Sequence, residues 1–282
     1  MTMSQKSYDG KPTLYLIPTP IGNMEDITLR SINLLKEVDV IFSEDTRETL
    51  KLLNYLNINK KLISCHKFNE DKVYLKVIEY LENGNNVGLV TDRGTPIISD
   101  PGYVSAYNVI EKGYNVVGLP GPTAFVPALI TSGINPNKFL FYGFLDSKKS
   151  HKKKELEELK NNKYTMIFYE SPFRVRETIE LINNIMGERN ISISREISKK
   201  YEEIYRGTPA SVLQELTDPK GEFVITVEGS TKEESFDNLD IEKHVNMLIK
   251  EGKTEKDAIK EVAKLHNLPK NDVYMKVKGD KK

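Results

Sequence analysis

The sequence predicts an α/β protein of two domains with a small helical module behind them. Three observations lead there. The chain has 282 residues, more than one ordinary domain uses. Over its first half, short apolar runs alternate with amphipathic segments, the pattern of parallel strands joined by helical crossovers. Beyond residue 229 the composition turns polar before helical periodicity resumes.

Leu14-Tyr15-Leu16-Ile17 reads as the first strand, closed by Pro18, Pro20 and Gly22. A helix follows from Thr28, with Leu29, Ile32, Leu34, Leu35 and Val38 on an approximately helical stripe. Val40-Ile41-Phe42 is a second strand and 46–56 a second helix. Asn69 is placed to cap a third helix whose apolar face is Val73, Val77, Ile78 and Leu81, ended by Gly84. Residues 87–90 read as a buried strand, 102–112 as a helix ended by Gly113, and 116–119 as another strand.

The segment Ser132-Gly133-Ile134-Asn135-Pro136-Asn137 is loop chemistry and separates a first domain, 12–132, from a second, 133–229. The second half reads as a strand over 139–145, a charged helix to Asn161, a strand over 166–169 and a helix over 172–186 with Pro172 at an early position. Strands over 191–197, 203–205 and 223–227 follow, with a short helix over 211–216. Their close succession predicts antiparallel pairs and a mixed sheet. Residues 230–240 suit a linker. The remaining stretch, 241–282, predicts three short helices resembling a helix-turn-helix, with Thr254 capping the second and Asn271 opening the third. It carries 11 Lys against 7 Asp and Glu, a local positive excess without a visible base-reading face.

Composition narrows the class. With 38% apolar and 29% charged residues the chain is globular rather than disordered. Lys+Arg and Asp+Glu are both 41, so any nucleic-acid surface must be a local patch. The densest such patch is Lys148-Lys149-Ser150-His151-Lys152-Lys153-Lys154, ordinarily a solvated helix start and otherwise a candidate contact for a phosphate backbone. The single Cys65 forbids an internal disulfide, and the four histidines lack ligand spacing, so no metal site is expected. No membrane span or signal peptide is visible, which predicts a cytoplasmic protein.

Three Pro/Gly-rich loops each follow a strand: Pro18-Thr19-Pro20-Ile21-Gly22-Asn23, then Thr91-Asp92-Arg93-Gly94-Thr95-Pro96 continuing to Gly102, then Pro120-Gly121-Pro122-Thr123-Ala124. Ligands of open α/β sheets bind beyond the carboxyl ends of the strands. Any one of these loops is adequately explained as a turn, but three at equivalent positions predict a stiff concave rim. None is a phosphate loop or a dinucleotide fingerprint, which argues against nucleotide hydrolysis and nicotinamide redox chemistry.

These motifs, together with Glu44-Asp45-Thr46-Arg47, Ile98-Ser99-Asp100-Pro101-Gly102, Phe168-Tyr169-Glu170-Ser171-Pro172, Arg195-Glu196 and Gly221-Glu222-Phe223-Val224, resemble the ribosomal RNA small subunit methyltransferase I family, within the tetrapyrrole methylase superfamily. The resemblance runs from about Thr13 to Val227. It implies a tetrapyrrole-methylase-like fold, S-adenosyl-L-methionine in a cleft between the two α/β domains, and a homodimer. The implied activity is 2′-O-methylation of a cytidine in the decoding region of 16S ribosomal RNA on the small ribosomal subunit. Carried over by motif, the donor contacts are Pro20, Gly94, Thr95, Ile98, Thr123 and Ala124, with Tyr169 and Glu222 from the second domain. Arg93 stands where the family commonly has a small residue, and points either to solvent or to RNA phosphate. Phe173 stands where it commonly has His, so a histidine base is not expected there.

Methyl transfer from a sulfonium is a direct displacement, with the reacting atoms held about 3–3.5 Å apart. Carboxylates that could take the hydroxyl proton are Glu44, Asp45, Asp100 and Glu170, and each also has an ordinary reading as a cap or an ion-pair partner of Arg47, Arg93 or Arg174. For Asp100, before Pro101, the helix cap is the stronger reading. Glu44, Asp45, Arg47 and Glu170 are the residues expected around the ribose, Arg47 as a phosphate clamp or a partner of Glu44. Two alternatives stay open: methylation of a tetrapyrrole or diphthamide precursor, and a non-enzymatic RNA-binding assembly factor.

Overall fold

A computed structural model describes residues 4–7, 9–217, 220–231, 240–250, 252–266 and 268–278. The chain divides into two units, Met1–Gly229 and Ser230–Lys282.

The first unit holds two five-stranded sheets. Strands β1 (Thr13–Leu16), β2 (Val40–Ser43), β3 (Lys61–Ser64), β4 (Val87–Val90) and β5 (Asn115–Gly118) form an all-parallel sheet in the order β3-β2-β4-β1-β5. Helices α1 (Leu29–Glu37) and α2 (Thr46–Tyr55) cover one face, where Leu34, Leu35 and Leu53 pack on Ile17, Ile41 and Val90. Helices α3 (Glu70–Glu82) and α4 (Tyr103–Glu111) cover the other, where Val77, Leu81 and Val109 meet Leu14, Phe42 and Leu89. Burial on both faces explains why these strands read as continuous apolar runs. The order matters for the site: β4, β1 and β5 are neighbours, so the three Pro/Gly loops that follow them emerge side by side.

The second sheet runs β6 (Phe139–Phe144), β7 (Thr165–Glu170), β10 (Phe223–Val227), β8 (Ile191–Arg195) and β9 (Glu203–Gly207). It is mixed, with β6 and β7 parallel and the other pairs antiparallel. Helices α6 (Lys149–Leu159), α7 (Val175–Met186) and α8 (Pro209–Glu215) pack on one face through Leu156, Ile179, Ile182 and Val212. The opposite face receives α5 (Phe125–Thr131), whose Ala128 and Leu129 meet Ile167, Ile197 and Val224. The helix after the third Pro/Gly loop thus packs on the second sheet and joins the two halves.

Several sequence expectations need correction. Asn69 precedes α3 but its side chain does not cap it; the amide accepts from His66 N at 2.8 Å and shapes the preceding turn instead. The helix expected from Pro172 begins at Val175, because residues 171–174 form a tight turn closed by Arg174 N–H donating to Ser171 O. Asp100 is not the cap of α4; Glu70 accepts from Gly102 N at 2.6 Å in that place. Lys152, in the run expected to be solvated, is fully buried.

The second unit consists of α9 (Ile241–Lys250), α10 (Glu255–Leu265) and α11 (Lys270–Lys278) around Val245, Leu248, Ile259, Val262 and Val273. Thr254 caps α10 by accepting from Asp257 N, and His244 and His266 meet at 2.9 Å. Most of the 230–240 stretch expected to be a linker lies outside the described residues.

Candidate active site

The second loop has an unusual concentration of left-handed backbone. Gly94, Ile97, Ser99 and Gly102 all have positive φ, at 84°, 75°, 68° and 121°. For a β-branched residue such as Ile97 this is unfavourable backbone, held only by its surroundings. Those surroundings are the neighbouring loops. Thr19 and Gly94 exchange backbone hydrogen bonds at 2.9 and 3.0 Å, and the Thr95 hydroxyl donates to Pro122 O at 3.0 Å. Gly121 has no room for a side chain, since a Cβ there would lie 2.5 Å from Pro18 Cβ. The three loops therefore form one rigid rim, which is what a pre-organised ligand site requires.

Facing this rim across the junction of the two sheets is a cavity of about 340 Å³. That lies within the roughly 300–1,000 Å³ typical of small-molecule sites. From the first half come Ile21, residues 93–95, residues 98–100, Thr123 and Ala124; from the second come Phe144, residues 169–172, Ile197 and residues 222–224. Of the expected donor contacts, Gly94, Thr95, Ile98, Thr123, Ala124, Tyr169 and Glu222 line the cavity. Pro20 does not; Ile21, its neighbour, does.

The second sheet's contribution is tied to the first by Tyr169. Its hydroxyl lies by the backbone N–H groups of Ala124 and Phe125, at the start of α5, which only partly offset the burial that pushes the phenol up to about 12. Tyr169→Phe is expected to remove this polar contact between the two sheets, costing on the order of 1 kcal/mol and weakening ligand binding. Thermal melting with and without ligand checks this; an unchanged melting point in both states would contradict it.

The expected ribose group divides. Asp45 caps α2 by accepting from Arg47 N at 2.9 Å and pairs with the Arg47 guanidinium at 2.6 Å. Those hydrogen bonds hold its carboxyl down to about 2, a poor setting for a base at neutral pH. Arg47 is exposed and pairs with Asp45, not with Glu44. Glu44 accepts from the Thr91 hydroxyl at 2.9 Å. None of these three lines the cavity. Glu170 does, but its oxygens are committed: Thr178 Oγ1 at 2.7 Å and Lys152 Nζ at 3.3 Å on one, Arg174 at 2.8 Å and Ser171 N at 2.8 Å on the other.

Asp100 is the carboxylate that stands apart. It lines the cavity, and its carboxyl is pushed up to about 6, chiefly by burial and further by the nearby charges of Glu44 and Asp92, with the Thr91 hydroxyl opposing. The cap reading from its place before Pro101 hid it; its position in a strained loop beyond the central strands was the signal that could have found it. Arg93 is exposed to solvent, one of the two outcomes expected of it, but it is not a free cation. It pairs with Glu222 at 2.5 Å across the cavity rim. Phe173 is 97% exposed and lies off the cavity. Cys65 is buried, its thiol pushed up to about 11 by burial. Among the described residues no group of His, Cys, Asp and Glu is placed to hold a metal ion, and no helix is long and apolar enough to cross a membrane.

Residues 13–213 match the family model of the Tetrapyrrole (Corrin/Porphyrin) Methylases, the class that this pair of sheets and the cleft at their junction define. Solved structures of that class share the fold. Uroporphyrin-III C-methyltransferase from Thermus thermophilus superposes with TM-score 0.56 at 14% identity, covering 77% of this chain and 94% of that one. A cobalt precorrin-4 methyltransferase gives TM-score 0.56 at 16% identity, covering 80% and 98%. Two relatives are each named ribosomal RNA small subunit methyltransferase I. That from Bacillus subtilis (strain 168) is 46% identical over 97% of this chain and 98% of its own length. That from Halalkalibacterium halodurans is 43% identical over 96% and 97%. The chain belongs to the ribosomal RNA small subunit methyltransferase I family.

Proposed function

We propose that this chain transfers a methyl group from S-adenosyl-L-methionine to the ribose 2′-hydroxyl of a decoding-region cytidine in 16S ribosomal RNA. The observation that carries the reading is the cleft, where the rigid three-loop rim meets the ends of β7 and β10. Its chemistry fits the donor. Ile21, Ile98, Ile197 and Val224 offer apolar walls to a nucleoside, while Gly94, Thr123 and Ala124 bring backbone groups close. Bound there, the donor supplies a methyl group on a sulfonium, an electrophile needing no metal to activate it.

What the chain supplies is alignment and a proton acceptor. Asp100 takes the hydroxyl proton; a carboxyl with its proton affinity raised to about 6 is a stronger base than an ordinary aspartate and still ionised at pH 7–8. Thr91, beside it, already donates to Glu44. The Thr91 hydroxyl thus stands beside both carboxylates, which gives Glu44 a supporting place behind the base. Arg47, exposed at the start of α2 and oriented by Asp45, is suited to an RNA phosphate, as are the exposed Lys149, Lys153 and Lys154 on α6. The homodimer and the cytoplasmic location implied by the family belong to the same proposal.

Transfer of a labelled methyl group tests it. Label is expected in 16S RNA of small subunits, at a nucleotide resistant to alkaline cleavage, as a 2′-O-methylated ribose is. Label on a base, or in a porphyrinoid alone, would overturn the reading.

A further inference from the structure

The charged residues on the cavity wall are Arg93, Asp100, Glu170 and Glu222. Glu170 is saturated by its own partners, and Asp100 has its acid–base task. Arg93 and Glu222 remain. They reach the rim from opposite sides, Arg93 from the loop after β4 and Glu222 from the residue preceding β10, and meet at 2.5 Å. Their side chains are 53% and 62% exposed. A pair so open to water holds itself together weakly, so exchanging each partner for a ligand charge costs little. Glu222 is also steadied by Lys199 at 2.7 Å, which Glu196 holds at 2.9 Å, so the carboxylate keeps its place when Arg93 turns away. Arg93 Nη1 serves Glu222, and a guanidinium has five N–H donors in a fork that matches a carboxylate.

One cation and one anion in contact on the rim of an otherwise largely apolar cavity match a ligand that carries both charges on a single carbon. We infer that Arg93 and Glu222 receive the α-amino-acid end of the methyl donor, the carboxylate on Arg93 and the ammonium on Glu222, leaving the nucleoside to the apolar walls. The inference rests on the reading of the cleft as the donor site. It assigns Arg93 to recognition of the small ligand instead of RNA, and it makes the pair a specificity element for donors with an intact amino-acid tail.

Calorimetry with two probes tests it. S-adenosylhomocysteine keeps the amino-acid end; 5′-methylthioadenosine lacks it. Arg93→Ala is expected to weaken S-adenosylhomocysteine on the order of ten- to a hundredfold, the range for losing a charge-assisted hydrogen bond, and to leave methylthioadenosine essentially unchanged. Glu222→Gln is expected to show the same selectivity with a smaller loss, and Arg93→Lys to recover part of the affinity. Equal weakening of both probes by Arg93→Ala, or no weakening of either, overturns the assignment while leaving the donor site standing. A wild-type protein that binds neither probe overturns the donor site itself, and the assignment with it.

Discussion

Asp100→Asn is expected to lower single-turnover methylation by about 10²–10⁴-fold, the usual contribution of a positioned acid–base group, while making the protein more stable at pH 8. The two effects share one cause. Burial raises the Asp100 carboxyl from 3.8 to about 6, so between those values the folded chain holds a proton that the unfolded chain has released. Stability from this group is therefore full below about pH 4 and is lost as pH rises through 6. Above that, the wild type carries a partly buried negative charge near Glu44 and Asp92, at a cost of about 1–2 kcal/mol once solvent screening is set against the two pKa units at 1.36 kcal/mol each. Asparagine removes the charge and keeps the shape. The melting-point gain of a few degrees at pH 8 should disappear at pH 4. The wild-type rate should fall below pH 6 with the protonation of one group. An Asp100→Asn protein that is less stable at pH 8, or that methylates at the wild-type rate, would make Asp100 a structural residue.

The second large effect lies behind the cavity wall. Lys152 is 0% exposed and Glu170 3%, and Thr178 bonds to both. Removing Glu170 leaves the buried Lys152 charge with only Glu177, at 3.7 Å, to face it, so Glu170→Leu is expected to cost about 3 kcal/mol, the low end for breaking a buried pair. Because Ser171 N donates to Glu170 and Ser171 and Pro172 line the cavity, the same variant should also bind S-adenosylhomocysteine more weakly. Lys152→Met combined with Glu170→Leu should recover much of the stability, since an apolar pair of similar volume replaces the ion pair. Urea denaturation of the two single variants and the double closes the cycle. Single variants costing under about 1 kcal/mol, or a double variant as unstable as the sum, would show that the pair is not coupled.

The sheets were largely legible because burial on both faces leaves nearly continuous apolar runs, as at Val87–Val90 and Phe223–Val227, broken in the latter only by Thr226. Among the described strands and α-helices, two escaped. β3 sits at a sheet edge with Lys61 exposed and the rest half-buried, so Lys61–Ser64 lacks a strand's apolar run. α5 is a short helix with Pro127 inside it, and its partner is the second sheet, far away in sequence. The cleft was legible because Pro and Gly mark strained backbone whatever surrounds them. The roles of its charged residues were not, because a charge's task depends on what faces it. Lys152 looks solvated within a lysine run, although Lys152, Leu156 and Leu159 fall at the i, i+4, i+7 spacing of a buried helix face. Arg93 could not be paired with Glu222, 129 positions on, without the fold.

The most direct test of the account is the 2′-O-methylation map of 16S RNA from cells lacking the gene and from the same cells carrying either wild-type protein or Asp100→Asn. One decoding-region cytidine is expected to lose its mark without the gene, to regain it with wild-type protein and to stay unmethylated with Asp100→Asn. A mark that persists without the gene, or that Asp100→Asn restores as fully as the wild type, would contradict it.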